Sequence, residues 1–211
     1  MNKIIILLIA FTVVVSCKEE AKSSTSTTAT EKAVSGTEKT TETEAVEKDA
    51  KLSVDKEQFL STTIAYFKNC KANSSNRNDC RNSITKMISE FYDISDFKNE
   101  AGDYVIYDSI QPIIKKSENW VKLGNANDQE VLKKAQEAAN NGNATIAVDV
   151  SESYGQIAMI IPGKLTNSGS WKLKVPNTTA LVNYDATKSF MKKSLAYAFK
   201  SMDNIVLYSK K

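Results

Sequence analysis

Three cysteines and no histidine set the chemistry open to this chain of 211 residues. Cys70 and Cys80 stand close together in the sequence, and two readings of them remain open. A disulfide between them would close the loop Lys71 to Asp79, and in the chain-entropy model a loop of that size contributes roughly 3 kcal/mol. Alternatively, Cys80 is a nucleophile at a helix start, where the helix dipole lowers a thiol's pKa and favours the thiolate. A cysteine nucleophile also needs a base, usually histidine. Without one, the acids Asp149 and Glu152 are the candidates, although acids at a strand end and a turn are ordinarily just solvated. Cys70 and Cys80 alone are too few ligands for structural zinc, so the sequence implies no metal and no cofactor.

The elements that must position these residues follow from periodicity. Phe59, Leu60, Ile64 and Phe67 recur at helical spacing over Asp55 to Cys70. Cys80, Ile84, Met87, Ile88 and Phe91 do the same over Asp79 to Tyr92, which puts Cys80 on the apolar face of the first turn with Asn78 or Asp79 as the cap. A third helix is expected over Asp103 to Lys116, interrupted by Pro112. Asn127-Asp128-Gln129-Glu130 reads as a capping box for a helix ending near Asn140-Asn141-Gly142.

The period then changes to two. Ala144, Ile146, Val148 and Val150 predict one strand and Gln156 to Ile161 a second, ended by Pro162-Gly163. Trp171, Leu173 and Val175 predict a third, ended by Pro176. Asp185 to Lys200 reads as a helix with Met191, Leu195, Ala198 and Phe199 inward and Lys188, Lys192 and Lys193 on its solvated face. Ile205 to Tyr208 closes the series as a strand. Helices segregated from a meander of strands point to an α+β fold, with N-terminal helices packed on an antiparallel β-sheet.

The third cysteine has a different setting. Met1-Asn2-Lys3 precedes an apolar run from Ile4 to Val15, and small Ser16 precedes Cys17. This is the pattern of a secretory signal, too short to span a bilayer comfortably. Val14-Val15-Ser16-Cys17 resembles the lipobox of bacterial lipoproteins. The resemblance implies cleavage after a signal peptide of residues 1–16 and lipidation of Cys17 with several acyl chains (palmitate or its like). Each buried methylene would add roughly 0.8 kcal/mol of membrane affinity. No Asp follows the cysteine. Lys18-Glu19-Glu20 is similar to the surface-export signal of one group of Gram-negative bacteria, which implies an outer-membrane, surface-exposed protein of the cell envelope.

Residues 18–51 hold eight Thr, four Ser, six Lys and eight acidic residues, with no aromatic and a net charge of −2. Such a segment cannot bury enough apolar surface to offset its chain entropy. Residues 17–51 therefore read as a lipidated cysteine and a disordered tether with a reach on the order of 30 Å. Residues 52–211 are enough for one domain with a single core. Its charges are interspersed, with no basic stripe carrying aromatics, which argues against nucleic acid as a partner.

Asn78-Asp79-Cys80-Arg81-Asn82-Ser83-Ile84 resembles the nucleophile helix of papain-like cell-wall amidases of the CHAP type. Asn140-Asn141-Gly142-Asn143, running into Ala144 to Val148, resembles the lead into their first core strand. Tyr154-Gly155-Gln156-Ile157 to Pro162-Gly163 resembles their Gly-His-Ile/Val strand, and Ser170-Trp171 to Val175-Pro176 the strand after it. The pieces occur in the family's order over most of residues 55–211. The resemblance implies a papain-like amidase architecture, with Cys80 at the nucleophile position and Asp79, Gly155 and Trp171 beside it. It also shows what is missing. Gln156 stands where the family has its catalytic His, and a glutamine amide accepts no proton near neutral pH. Losing a general base typically costs ~100- to 10,000-fold. The family's Trp-Gly is Trp171-Lys172 here, which is expected to crowd that spot. Asn167 and Asn177 are the candidates for the third catalytic polar residue.

The function expected from these readings is a membrane-anchored, amidase-like but catalytically inactive domain that binds a peptidoglycan peptide or an envelope protein. The alternatives are an active cysteine peptidoglycan amidase or endopeptidase using Cys80, and a structural or defensive surface lipoprotein.

Overall fold

The computed structural model describes residues 50–76, 80–152 and 155–211, all within one compact unit, Ala45–Lys211. The expected signal peptide, Cys17 and nearly all of the tether lie outside the described residues, as do Asn78, Asp79 and Tyr154.

The first helix, α1 (Val54–Asn73), starts where Ser53 accepts from the Lys56 amide through its side chain, with Asp55 and Glu57 in the first turn. Acids there complement the helix dipole. Leu60, Ile64 and Phe67 form its buried stripe. Helix α2 (Ser83–Tyr92) is buried almost all round, including Ser83, Thr85 and Ser89. A helix with so little exposed face belongs in the middle of a core. It begins four residues later than expected, with Asn82 at the N-cap position but no side-chain capping bond, so Cys80 lies in the preceding turn. The expected helix over Asp103 to Lys116 is shorter: a 3-10 turn, Tyr107–Ser109, runs into α3 (Ile110–Lys116). Pro112 is tolerated because it falls in the first turn of α3, where its missing N–H costs no helical bond.

Strand β1 (Trp120–Asn125) precedes α4 (Gln129–Asn140), whose N-cap Asp128 accepts from the Glu130 amide. Then come β2 (Thr145–Asp149), β3 (Ile157–Ile160), the short β4 (Thr166–Asn167) and β5 (Lys174–Val175), and β6 (Asn177–Ala180). They are followed by β7 (Phe190–Ser194), the single turn α5 (Leu195–Ala198), and β8 (Ile205–Lys210). The main sheet has the order β1-β8-β2-β3-β6-β7, and its five pairings are all antiparallel. β4 and β5 form a separate two-stranded ribbon. The fold is therefore α+β with an antiparallel sheet.

The sheet separates two apolar clusters by simple alternation. Ile146, Val148, Ile157, Met159, Val206 and Tyr208 face α1, α2 and α3. Ala147, Ala158, Ile160, Ile205 and Leu207 face α4, α5 and Trp171.

Two expectations fail here. Asp185 to Lys200 is a 3-10 turn, a strand and one helical turn. The spacing of Met191, Leu195 and Ala198 suits a helix locally, but pairing with β6, Thr178 against Lys193 and Ala180 against Phe190, wins. Lys188, Lys192 and Lys193 are exposed, but on that turn and strand. The strand expected from Trp171 is reduced to Lys174–Val175, because Trp171 lies in a turn held by Ser168, whose Oγ accepts from the Trp171 amide at 3.1 Å.

One polar clamp joins α4 to the sheet. Buried Gln136 donates through Nε2 to the Ile161 carbonyl at 3.0 Å and accepts the Asn177 amide at 2.7 Å. Asn140 binds both the amide and the carbonyl of Gly163, at 2.9 and 3.0 Å. The Asn140-Asn141-Gly142 and Pro162-Gly163 segments thus meet in space.

Candidate functional site

The end of α1 and the turn before α2 are tied by a disulfide between Cys70 and Cys80, whose Cα atoms are 6.2 Å apart. Cys80 takes a left-handed backbone, φ 69°, unusual for a residue with a Cβ. Its carbonyl accepts the Ser83 amide at 3.1 Å, and it packs against the cluster containing α2. Cys80, the expected nucleophile, therefore carries no free thiol: its sulfur is bonded to Cys70. It also stands ahead of the helix rather than in its first turn.

Arg81 follows. Its carbonyl accepts the Tyr107 amide at 3.2 Å, its guanidinium lies 5.1 Å from the centre of the Tyr107 ring, and it pairs with Asp108. The Tyr107 hydroxyl accepts from Asn183 Nδ2 at 3.3 Å. Asn183 follows β6 by three residues, at the end of the sheet where β3 begins. There Gln156 donates through Nε2 to its neighbour's carbonyl, Ile157, at 3.0 Å and to Leu181 O at 3.4 Å. One chain of contacts between Cys80 and Gln156 runs through Arg81, Tyr107 and the segment Leu181 to Asn183. No hydrogen bond joins them directly.

Gly155 sits against the Asp149 carbonyl so closely that a Cβ would fall 2.0 Å from that oxygen. Only glycine fits. The close approach lets Asp149 N reach Gln156 O at 3.0 Å and continues the ladder beyond β3. Asp149 itself is engaged locally: its carboxylate accepts from the Ser151 amide and hydroxyl at 3.0 and 2.6 Å. Glu152 is exposed, and its carbonyl accepts from Gln111 Nε2 at 3.4 Å. Among the described residues, neither acid forms a hydrogen bond with Cys70 or Cys80.

Three expected site residues lie elsewhere. Trp171 is buried in the cluster on the opposite face of the sheet from Cys80. Asn177 starts β6 at the far end from Leu181, where it donates to the Pro162 carbonyl at 3.0 Å. Asn167 is exposed on the separate ribbon. Lys172 does not crowd its surroundings either. It is exposed and adopts φ 59°, the left-handed region that glycine favours.

The polar groups that do gather are Arg81, Tyr107, Asp108 and Asn183. Arg81 Nε, Asp108 Oδ1 and Asn183 Oδ1 are buried with no hydrogen-bond partner among the described residues. Such orphans are uncommon and tend to mark sites that meet another polar group. Asn183 was missed in the sequence because nothing local distinguishes Val182-Asn183-Tyr184. Among the described residues, no group of three or more His, Cys, Asp or Glu side chains converges to hold a metal ion, and no helix is long and apolar enough to cross a membrane. No protein-family model matches this sequence, and no curated protein matches it.

Proposed function

We propose that this chain is a lipid-anchored protein of the cell envelope whose folded unit is a papain-like, CHAP-type amidase scaffold used for binding rather than cleavage. Its ligand is a peptidoglycan stem peptide or a protein of the envelope. The lipid on Cys17 and a tether of roughly 30 Å reach would hold the domain near its target at the outer membrane. The observation that carries the reading is the state of the two positions that would do chemistry. The Cys80 sulfur is consumed in a bond to Cys70, and the Gln156 amide is spent on backbone carbonyls. A thioester-forming mechanism needs a free thiolate and a base, and neither position offers one. A helix buried against an antiparallel sheet, with the Cys80 turn leading into it, is compatible with the amidase scaffold.

Retention on purified cell wall tests the reading. The full chain in detergent micelles is expected to sediment with wall sacculi above the level of an unrelated lipoprotein, without releasing muropeptides. No retention would remove peptidoglycan as the ligand, and muropeptide release abolished by Cys80→Ala would show that the protein is a hydrolase after all.

A further inference from the structure

Cys70 sits in the part of α1 that the core does not hold. The buried stripe of the helix ends at Phe67, and none of its last six residues, Lys68 to Asn73, is buried. No left-handed cap closes it, because the C-cap Ser74 is extended. The other end of the bridge is firm. Arg81, next to Cys80, accepts the Tyr107 amide on its carbonyl at 3.2 Å and pairs with Asp108, and the buried helix α2 follows. We propose that the Cys70–Cys80 disulfide is a redox-operated clasp: its reduction by a protein dithiol frees the last six residues of α1 and leaves the rest of the domain folded.

Burial and backbone geometry favour a bridge that exchanges over one that is sealed. Cys70 and Cys80 are half-buried, not enclosed, and exchange needs an attacking thiolate to reach a sulfur. Cys80 holds φ 69°, a conformation that a Cβ disfavours and that persists only where the surroundings enforce it. The crosslink is one of those constraints, so opening it removes a restraint from an unfavourable turn. The exchange balances. A thiolate of the dithiol attacks one bridge sulfur, the Cys70–Cys80 bond breaks, and the displaced cysteine leaves as a thiolate and takes a proton. The second thiolate of the dithiol then attacks the mixed disulfide and releases the other cysteine. The bridge gains two electrons and two protons, and the dithiol becomes a disulfide.

The clasp acts on more than the helix end. Lys68, Lys71 and Ala72 form one side of an open cavity of about 330 Å³, and Tyr184, Ala186 and Thr187 of the loop after β6 form the other. With the bridge closed, the two sides are held at one spacing. With it open, the α1 side is let go. The loop side stays tied to the sheet, where the Val182 amide donates to Ser189 Oγ at 2.9 Å just before β7. The redox state of the bridge therefore sets the shape of this surface. The inference concerns a change of state and goes beyond the binding reading above, whatever ligand that reading takes.

Its test uses the full chain in micelles with dithiothreitol as the dithiol. Without denaturant, dithiothreitol is expected to reduce the bridge completely while the cooperative melting transition survives. Brief trypsin digestion, read by mass spectrometry, then locates the opening. Cutting after Lys68 and Lys71 should be at least about tenfold faster in the reduced protein, because native-state proteolysis tracks the population of the open form. Cutting after Lys122 and Lys193, on the sheet, should not change. Cys70→Ser/Cys80→Ser should be cut like the reduced protein with no reductant present. Cys70→Ser/Cys80→Gly repeats that arm with a residue that accepts the left-handed backbone freely, so a folding defect of the first variant does not end the test. Dithiothreitol should change nothing in either variant. A bridge that resists dithiothreitol until denaturant is added, unchanged cutting after Lys68 and Lys71, acceleration spread equally over the lysines of the sheet, or a response to dithiothreitol in the variants overturns the clasp.

Discussion

The side-chain amide of Gln156 donates to the backbone carbonyl of Leu181 at 3.4 Å, one step beyond the paired residues of β3 and β6. It acts there as an extra rung of the sheet. Gln156→Glu replaces that donor with a carboxylate facing two carbonyl oxygens. The variant is expected to lose about 1–3 kcal/mol at neutral pH. It should recover part of that in acid, where the protonated carboxyl again donates. Urea unfolding at pH 7 and pH 4 checks this, and equal losses at both values would sink it.

Reducing Cys70–Cys80 is expected to expose two thiols and lower stability by about 3 kcal/mol, the loop-closure contribution of a crosslink this short. Thiol titration with denaturant unfolding, with and without dithiothreitol, measures both. The reduced protein is also expected to release no muropeptide, because freeing the sulfur does not supply a base. Release on reduction alone would identify a base other than the residue at position 156.

Gln136→Leu preserves volume but strips the clamp between α4 and the ends of β3 and β6. It leaves the Ile161 carbonyl and the Asn177 amide without their partner. A loss of about 2–4 kcal/mol is expected. It should show as a lower urea midpoint with an unchanged slope. A shift well under 1 kcal/mol would mean that water replaces the side chain.

Stability should fall on the alkaline side. Tyr92 keeps part of its ring at the surface, but its hydroxyl is buried and donates to the Ile160 carbonyl, and burial holds its pKa above the ordinary phenol value. Burial raises Tyr208 as well. In the unfolded chain both ionise near pH 10. Above that pH the unfolded state loses protons that the folded state keeps, so stability drops as pH rises. Their contribution is fully present below pH ~10. Tyr92→Phe should be less stable at pH 7 and show a shallower alkaline decline. An identical decline in the variant would assign the slope to other groups.

How much was legible can be judged from particular residues. Leu60, Ile64 and Phe67 announced α1 because a long amphipathic stripe has one reading. Ile146, Val148, Ile157 and Met159 announced the strands that divide the two clusters. β1 was not foreseen. Its alternation is brief, Gly124 interrupts it, and its partner β8 lies more than eighty residues away. The stretch around Met191 misled because a few apolar residues at intervals of three and four fit either a helix or a strand followed by a turn. At the site, Cys80, Gly155 and Gln156 stood out as residue types in an order. Tyr107 and Asn183 did not, since they meet across 76 positions of sequence. Lys172 was expected to crowd its spot, but it is exposed and takes a left-handed backbone, φ 59°, a conformation that no pattern of residue types announces for a lysine.

The placement of β8 between β1 and β2 bears on how the chain reaches its native state. Residues 205–210 occupy an interior position of the sheet and pair on both sides. A nascent chain that has not yet supplied them can form α1, α2 and the hairpin of β2 with β3, but it must leave β1 unjoined and both apolar clusters open. Such late, non-local closure slows folding and prolongs the exposure of strand edges. A polypeptide threaded through a translocation pore before folding would gain from that delay, because the sheet cannot lock until its last strand arrives.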